Sequence, residues 1–296
     1  MNRGNVNLEN SVVCIIVNYN NAKEAIAQLV RIEQYNAIDA IIVVDNCSTD
    51  NSYEQLKEYV NEKIYVIRSE RNGGYGYGNN YGIKFANETL HAGYALIANP
   101  DAFFHNSSVV CLKDVLSRTQ CAAATVLENI TRDNAWKKIS KVSEVLCTGL
   151  LYNKIAKPKV YPSDFLQGKE LEYVYAVQGS FLMVNVQLML QYGMYDEDIF
   201  LYQEEEVLAA KFNQAGLQSA IVLTDTYEHR HDRGIETNIR KNVKYHKIYL
   251  QSKALYLQRY RKFNPFQMIL AKVFFQITIA EIIIWTCIKK VKNWSK

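Results

Sequence analysis

No two of the six cysteines stand as Cys-x-x-Cys; Cys14, Cys47, Cys111, Cys121, Cys147 and Cys287 are scattered, several of them inside apolar runs. That spacing argues against a zinc ribbon or a disulfide framework and suits small core residues in a reducing compartment. The first ten residues are polar and carry no apolar stretch of the signal-peptide kind, so no secretory signal is expected. There is no Gly-Lys-Ser/Thr and no Gly-x-Gly-x-x-Gly, which sets aside the P-loop enzymes and the dinucleotide-dependent dehydrogenases. Internal repeats and low-complexity tracts are missing too. What the chain does have is apolar content, 49% of 296 residues, enough for a sizeable core and against disorder. The length suits one large α/β domain, alone or with an appendage.

Charge is unevenly placed. Arg230 to Lys296 holds fifteen Lys and Arg against three acids, a net +12, so the preceding residues carry −8 within a chain of net +4. A basic tail on an acidic body points to anionic partners. Because the basic stretch is joined to a long apolar segment, lipid is favoured over nucleic acid, and no nucleic-acid partner is expected.

Short aliphatic runs bounded by turn residues read as buried strands of a mostly parallel sheet: Val12–Val17, Ala40–Val44, Ile64–Ile67 and Tyr94–Ala98. Helical patterns lie between them, at about Ala22–Tyr35, Ser52–Val60 and from near Asn79, as βαβ units require. Residues 125–175 predict long loops with short strands. Periodicity returns at Tyr173–Val184, where Gly179-Ser180 suggests a close backbone approach. An acidic helix over Glu204–Gly216 and a strand over Ser219–Thr224 follow. Beyond about Tyr245 come helices rich in Tyr, Leu and Lys. Within them Phe266–Ile288 is long enough to span a bilayer, yet Lys272 and Glu281 interrupt it. Its flanking lysines and arginines, with Trp285 and Trp294, suit a helix lying on a membrane surface. Packing against the protein or an oligomer partner, and spanning, are the competing readings.

The chemistry clusters at strand ends, where open α/β sheets bind ligands. Asp45, just past the second strand, is placed to bind a nucleoside, with Asn46 beside it; Asp50, Asn51 and Ser52 read as turn and cap residues. Asp101 sits in Asn99-Pro100-Asp101 between two apolar stretches, where an acid is usually paired or metal-bound. The run Asn72–Gly82 places Gly74, Gly78 and Asn79 near a helix start, which suits phosphate. Six acids crowd Asp196–Glu206, and crowded carboxylates raise one another's proton affinity; a general base near neutral pH is expected in Glu204 or Glu205. His229 and His231 follow a strand and read equally as surface residues or, for His229, as a metal or diphosphate contact. Tyrosines such as Tyr152, Tyr161, Tyr173 and Tyr175 could stack on sugars.

Taken in order, these motifs resemble a family 2 glycosyltransferase of the GT-A fold, closest to bacterial rhamnosyltransferase-like enzymes of surface polysaccharides. The resemblance runs from Val12 to His231. Val17-Asn18-Tyr19-Asn20 is similar to the first-strand motif, and Val43–Asn46 with Ser48–Asp50 to the nucleoside-binding one. Asn72–Asn80 with Gly82 is similar to the diphosphate loop, Asn99-Pro100-Asp101 to the metal-binding Asp-x-Asp, and Phe200–Glu205 to the segment bearing the base. The resemblance implies an inverting, metal-dependent transferase. Asp101 would hold Mg²⁺ or Mn²⁺, with His229 a candidate second ligand, and Glu205 would deprotonate the acceptor. Glu205 stands where Asp is commoner, and Val207 where a further Asp is frequent. The donor would be dTDP-rhamnose or a UDP-hexose and the acceptor a lipid-linked saccharide. The place would be the inner face of the cytoplasmic membrane, peripherally bound, with homo-oligomer contact through the C-terminal helices left open. The expected division is a GT-A domain over 1–230 (nucleotide half 1–105, acceptor half 106–230) and a helical extension over 231–296. A nucleotidyltransferase would need Gly and Lys in the first loop, which Val17–Asn21 lacks. A catalytically inactive nucleotide- or lipid-binding scaffold is the other alternative.

Overall fold

The computed structural model describes residues 10–129, 135–162, 165–230 and 238–294. The chain opens with β1 (Val12–Asn18), α1 (Ala22–Ile32), β2 (Ala40–Asp45), α2 (Ser52–Lys57), β3 (Ile64–Arg68), α3 (Tyr75–Glu88) and β4 (Tyr94–Ala98). Then come β5 (Ala102–Phe103), α4 (Asn106–Arg118), β6 (Cys121–Glu128), β7 (Ala135–Trp136), α5 (Lys141–Leu146) and α6 (Leu150–Ala156). β8 (Leu171–Val174), β9 (Ala176–Val177) and β10 (Phe181–Asn185) lead into α7 (Val186–Leu188) and a π-helical turn at Met189–Gly193. The last elements are α8 (Glu204–Gln214), β11 (Gln218–His229), α9 (Ile239–Arg259) and α10 (Pro265–Trp294).

The protein is mixed α/β, with a central sheet flanked by helices. Strand order is β3-β2-β1-β4-β10-β6-β11-β5, with β8 also paired to β11. The strands β1 to β4 are parallel neighbours, as their βαβ spacing requires. β10 then enters antiparallel to both β4 and β6, so the second half mixes directions. Alternate residues of β1 feed opposite faces. Val12, Cys14 and Ile16 pack with α1, α2 and α4, and Val13 and Ile15 with α3 and α8.

Three expectations need correction. α3 starts at Tyr75, not near Asn79, so most of the glycine run is helix. A Cβ on Gly78 would lie 2.7 Å from Val17 Cγ1, and one on Gly82 2.6 Å from Ile15 Cγ2. Bare Cα atoms let α3 approach β1 closely, and that packing offsets about 1 kcal/mol of helix propensity per glycine. Residues 141–156, read as loop and short strand, are the short helices α5 and α6. β11 runs five residues past Thr224, so His229 is the last residue of a strand and not part of a loop after it. His231 and the expected boundary at 230–231 meet residues outside the described ones.

α9 and α10 pack onto α8 and the segment before it through a third core that includes Ile199, Val207, Leu250, Tyr256, Leu257 and Phe275. At its edge lies a fully buried ion pair, Lys253 Nζ to Glu144 Oε2 at 2.5 Å. Tyr256 donates to the other oxygen of Glu144 at 3.2 Å, and Arg261 stands 3.6 Å from it. α10 begins with Pro265 at its first position, where the missing N–H costs nothing. By length and composition residues Pro265–Lys290 could cross a membrane, with a mean hydropathy of 1.9.

Thr278, Glu281 and Thr286 nevertheless face the protein, while Lys272 and Gln276 stay exposed. Thr278 meets Thr148, Glu281 accepts from Leu150 N at 2.8 Å, and Thr286 accepts from Asn242 at 3.1 Å. The opposite stripe, Phe266, Ile269, Leu270, Val273, Ile277 and Ile284, is exposed at helical spacing. Substituting Lys253→Met leaves Glu144 buried beside Arg261 with one fewer cation. The expected loss is about 3–5 kcal/mol, the usual cost of breaking a buried pair; urea denaturation monitored by circular dichroism measures it.

Candidate active site

The carboxyl ends of β1, β2 and β4 form one crevice. Asn18 closes β1 in register with Asp45, the last residue of β2, not the first after it. Asn18 donates to Asp45 Oδ1 at 3.1 Å and to Ser48 at 3.2 Å. Ser48 N donates to Asp45 Oδ2 at 3.1 Å, and Arg68 Nε lies 3.4 Å from the same oxygen. Asp45 is therefore wholly buried and met by protein donors. Asn46 joins the strand end to the following loop: its amide donates to Gly74 O at 2.9 Å and Asn72 Oδ1 at 3.2 Å, and its oxygen accepts from Ser69. Tyr19 is exposed at the rim.

Gly74 has φ +91°, and a Cβ there would lie 1.9 Å from Phe200 O, which also accepts from Tyr75 N at 3.1 Å. Glycine is needed here both for the left-handed backbone and for the close approach. The turn thus ties the start of α3 to the segment that precedes α8. Asn79 is wholly buried in the second turn of α3, where it donates to Tyr75 O and leaves its Oδ1 without a hydrogen-bond partner.

At the end of β4, Asn99 N donates to Ser180 O and its carbonyl accepts from Ala102 N. β5 then pairs antiparallel with the end of β11, setting Ala102 opposite His229. Arg230 N donates to Asp101 O at 3.0 Å, and His229 Nε2 stands 3.2 Å from Asp101 Oδ1. A carboxylate oxygen and an imidazole nitrogen at that separation can serve as two ligands of one cation. Among the described residues no cluster of three or more His, Cys, Asp or Glu completes a metal cage. Two protein ligands fit Mg²⁺ or Mn²⁺ that takes its remaining oxygens from phosphate and water.

The three glutamates at the start of α8 differ by environment. Glu206 is buried and paired with Lys159. Burial alone would raise it, but the charges of Lys159 and Lys253 hold it below the usual carboxylate range. Glu204 is buried with Oε1 lacking a hydrogen-bond partner, and burial followed by the Glu205 charge raises it well above normal. Glu205 alone keeps partial exposure. It accepts from Gly179 N at 3.2 Å, and enclosure of its carboxylate, then the Glu206 charge, push it up to about 7. Just before α8, Tyr202 and Gln203 are both left-handed, at φ 71° and 73°, a local strain of the kind that gathers at functional sites.

The segment Gln178–Gly179 joins the two halves. Gln178 Nε2 is 3.4 Å from His229 Nδ1, while Gly179 meets Glu205 through its N–H and accepts from Tyr75 Oη at 2.7 Å. The close approach suggested for Gly179 is to a carboxylate, since a Cβ there would lie 3.0 Å from Glu205 Oε1. Gln178, Lys159 and Tyr75 escaped the sequence reading. Lys159 stands in a stretch without periodicity, and Tyr75 looked like one of a run of loop residues.

The sequence profile of glycosyl transferase family 2 matches residues 13–164, half of the chain. The low-salt glycan biosynthesis hexosyltransferase Agl10 of Haloferax volcanii is 28% identical over 194 residues, covering 64% of this chain. The match spans only 58% of that protein's length. Among solved structures, the mannosyltransferase PcManGT from Pyrobaculum calidifontis, in complex with GDP-Man and Mn²⁺, superposes with a TM-score of 0.56. It is 12% identical and covers 96% of this chain and 75% of that one. S. aureus TarS 1-349 in complex with UDP-GlcNAc gives 0.50 at 14% identity, over 90% of this chain and 81% of that one. These two likenesses speak for the fold. The profile match over half the chain shows that this protein belongs to glycosyl transferase family 2.

Proposed function

We propose that the protein is an inverting glycosyltransferase that moves a sugar from a nucleotide-sugar to a hydroxyl of a lipid-linked saccharide. The observation that carries this reading is the placement of Glu205. It is the one carboxylate of three that stays partly open, with its proton affinity raised to about 7. It also shares the Gln178–Gly179 segment with the Asp101–His229 pair. Ionised Glu205 takes the acceptor's hydroxyl proton as that oxygen attacks the anomeric carbon. The bond from that carbon to the diphosphate oxygen breaks on the opposite face, so configuration inverts and nucleoside diphosphate leaves. Asn18, Tyr19, Asp45 and Asn46 shape the nucleoside end of the crevice, and Asn72, Gly74, Gly78 and Asn99 the diphosphate end.

Asp101 and His229 would hold Mg²⁺ or Mn²⁺, which when bound neutralises charge on the departing diphosphate. The neighbouring structures hold GDP-Man and UDP-GlcNAc, and the curated relative is a hexosyltransferase, which supports a nucleotide-linked hexose here. dTDP-rhamnose and UDP-hexoses are the donors to test first. The exposed apolar stripe of α10 and its basic surroundings support a place on the inner face of the cytoplasmic membrane.

Calorimetric titration with UDP, dTDP and GDP, each with and without Mn²⁺, tests the donor site. One nucleotide is expected to bind with metal dependence and to lose that dependence in Asp101→Ala; binding of none would overturn the reading in favour of a scaffold. Glu205→Gln should keep nucleotide affinity while lowering turnover by about 10²–10⁴, the usual contribution of a general base. An unchanged rate would remove Glu205 from the reaction. A base works in its ionised form, so a Glu205 raised to about 7 predicts activity that rises with pH through neutrality. Below that point kcat/KM should fall about tenfold per pH unit, and a flat profile between pH 5 and 8 would contradict the assignment.

A further inference from the structure

Two clefts meet at α6. The first, of 330 Å³, is walled by Tyr202, Tyr245, His246 and Tyr249, with Thr148 and Asn153 opposite. Through Tyr202 it reaches the segment that leads into α8. Tyr202 stands two residues before Glu204, and its hydroxyl is raised by burial and then by the charges of Tyr245 and Glu204. The second, of 490 Å³, is a trough between α6 and α10 lined mainly by Leu150, Leu151, Ile284 and Trp285. Leu150 and Asn153 belong to both walls, so the trough and the tyrosine cleft adjoin. At its outer end the trough reaches the exposed stripe of α10 through Ile284.

The chemistry changes along this line. Hydrocarbon walls the trough, while phenol, amide, hydroxyl and imidazole groups wall the inner cleft. Lys154, near the junction, lies with its ammonium 5.5 Å over the Trp285 ring. The one carboxylate in the trough, Glu281, is turned to Leu150 N. A free sugar would leave the trough bare, and a simple hydrocarbon would leave the tyrosine cleft empty. An amphipath with an apolar chain, an anionic linker and a polyhydroxyl head matches all three parts.

We propose that the α6–α10 trough and the tyrosine cleft are one binding site for the acceptor. The hydrocarbon chain lies along Leu151 and Trp285, a phosphate-type linker sits by Lys154, and the saccharide head lies against Tyr202 and Tyr249. The direction of the head rests on the transferase reading; the binding of chain and linker does not. In this arrangement an acceptor enters from the bilayer along α10 and need not leave it.

Calorimetry with farnesyl diphosphate below its micellar concentration tests the site, with farnesol and inorganic diphosphate as half-probes. UDP, dTDP and GDP are titrated into the same samples. Leu151 is 63% exposed, so Leu151→Asp removes no core packing while placing a charge in the trough. Lys154→Glu reverses the charge at the junction. Farnesyl diphosphate should bind saturably, more tightly than either half-probe, and at least tenfold more weakly in both variants, with nucleotide binding unchanged. Equal binding by the variants would mean partition onto the apolar stripe and would overturn the proposal. So would the lack of saturable binding, including the case of a dimer that Leu151→Asp dissociates. Intact nucleotide binding alongside either result leaves the transferase reading standing. Loss of nucleotide binding with farnesyl diphosphate binding kept would instead sink that reading and retain the site.

Discussion

Three consecutive glutamates begin α8, and the protein sets one half-buried lysine directly against them. A helix N-terminus tolerates negative charge, but not three enclosed carboxylates without further compensation. Lys159 takes Glu206, which leaves Glu204 and Glu205 in a space that favours their protonated forms. Lys253 adds a second cation from α9, itself balanced by Glu144 on α5. This ionic arrangement works only if α9 is docked, because its cation must sit fully buried against Glu144. The third core around Tyr256 and Phe275 holds it there, and the same docking brings Tyr245 and Tyr249 against Tyr202. The C-terminal helices thereby determine the electrostatics at the start of α8 and one wall of the tyrosine cleft.

A second constraint holds the opposite half. The β5–β11 pairing is only two residues long, yet it places Asp101 and His229 within 3.2 Å. It is reinforced from outside the crevice. The guanidinium groups of Arg31 and Arg230 each lie 3.9 Å from the Phe103 ring, and Arg31 also donates to Ala102 O at 2.7 Å. Cation–π contact on both faces of one ring fixes a loop that would otherwise have little to order it. The placement of Asp101 beside His229 thus depends on contacts that Arg31 and Arg230 make to Phe103 and Ala102.

Much of the first hundred residues was legible, and for a physical reason. Parallel strands buried on both faces must be continuous aliphatic runs, and their crossovers must be helical, so Val12–Val17, Ala40–Val44 and Tyr94–Ala98 announce themselves. Element ends were less legible. α3 starts four residues early because glycine reads as loop when its neighbours in space are unknown; only Val17 and Ile15, 61 and 67 residues upstream of the glycines they meet, explain Gly78 and Gly82 as helix. α5 and α6 were missed because each is a short helix whose periodicity is too brief to register, and both are stabilised by α10 far along the chain.

Residue types at strand ends, the order of the motifs and the apolar tail are properties of the chain itself, because they depend on local pattern. They were enough to indicate an α/β sheet with acids at its carboxyl edge, and a resemblance that the family profile supports. Which glutamate remains open, that Gln178 and Gly179 bridge the histidine and the glutamate, and that Thr278, Glu281 and Thr286 of α10 turn inward were decided by the tertiary structure alone. Each depends on groups separated by tens of residues, and sequence pattern carries no record of which distant side chain arrives to pair a buried charge.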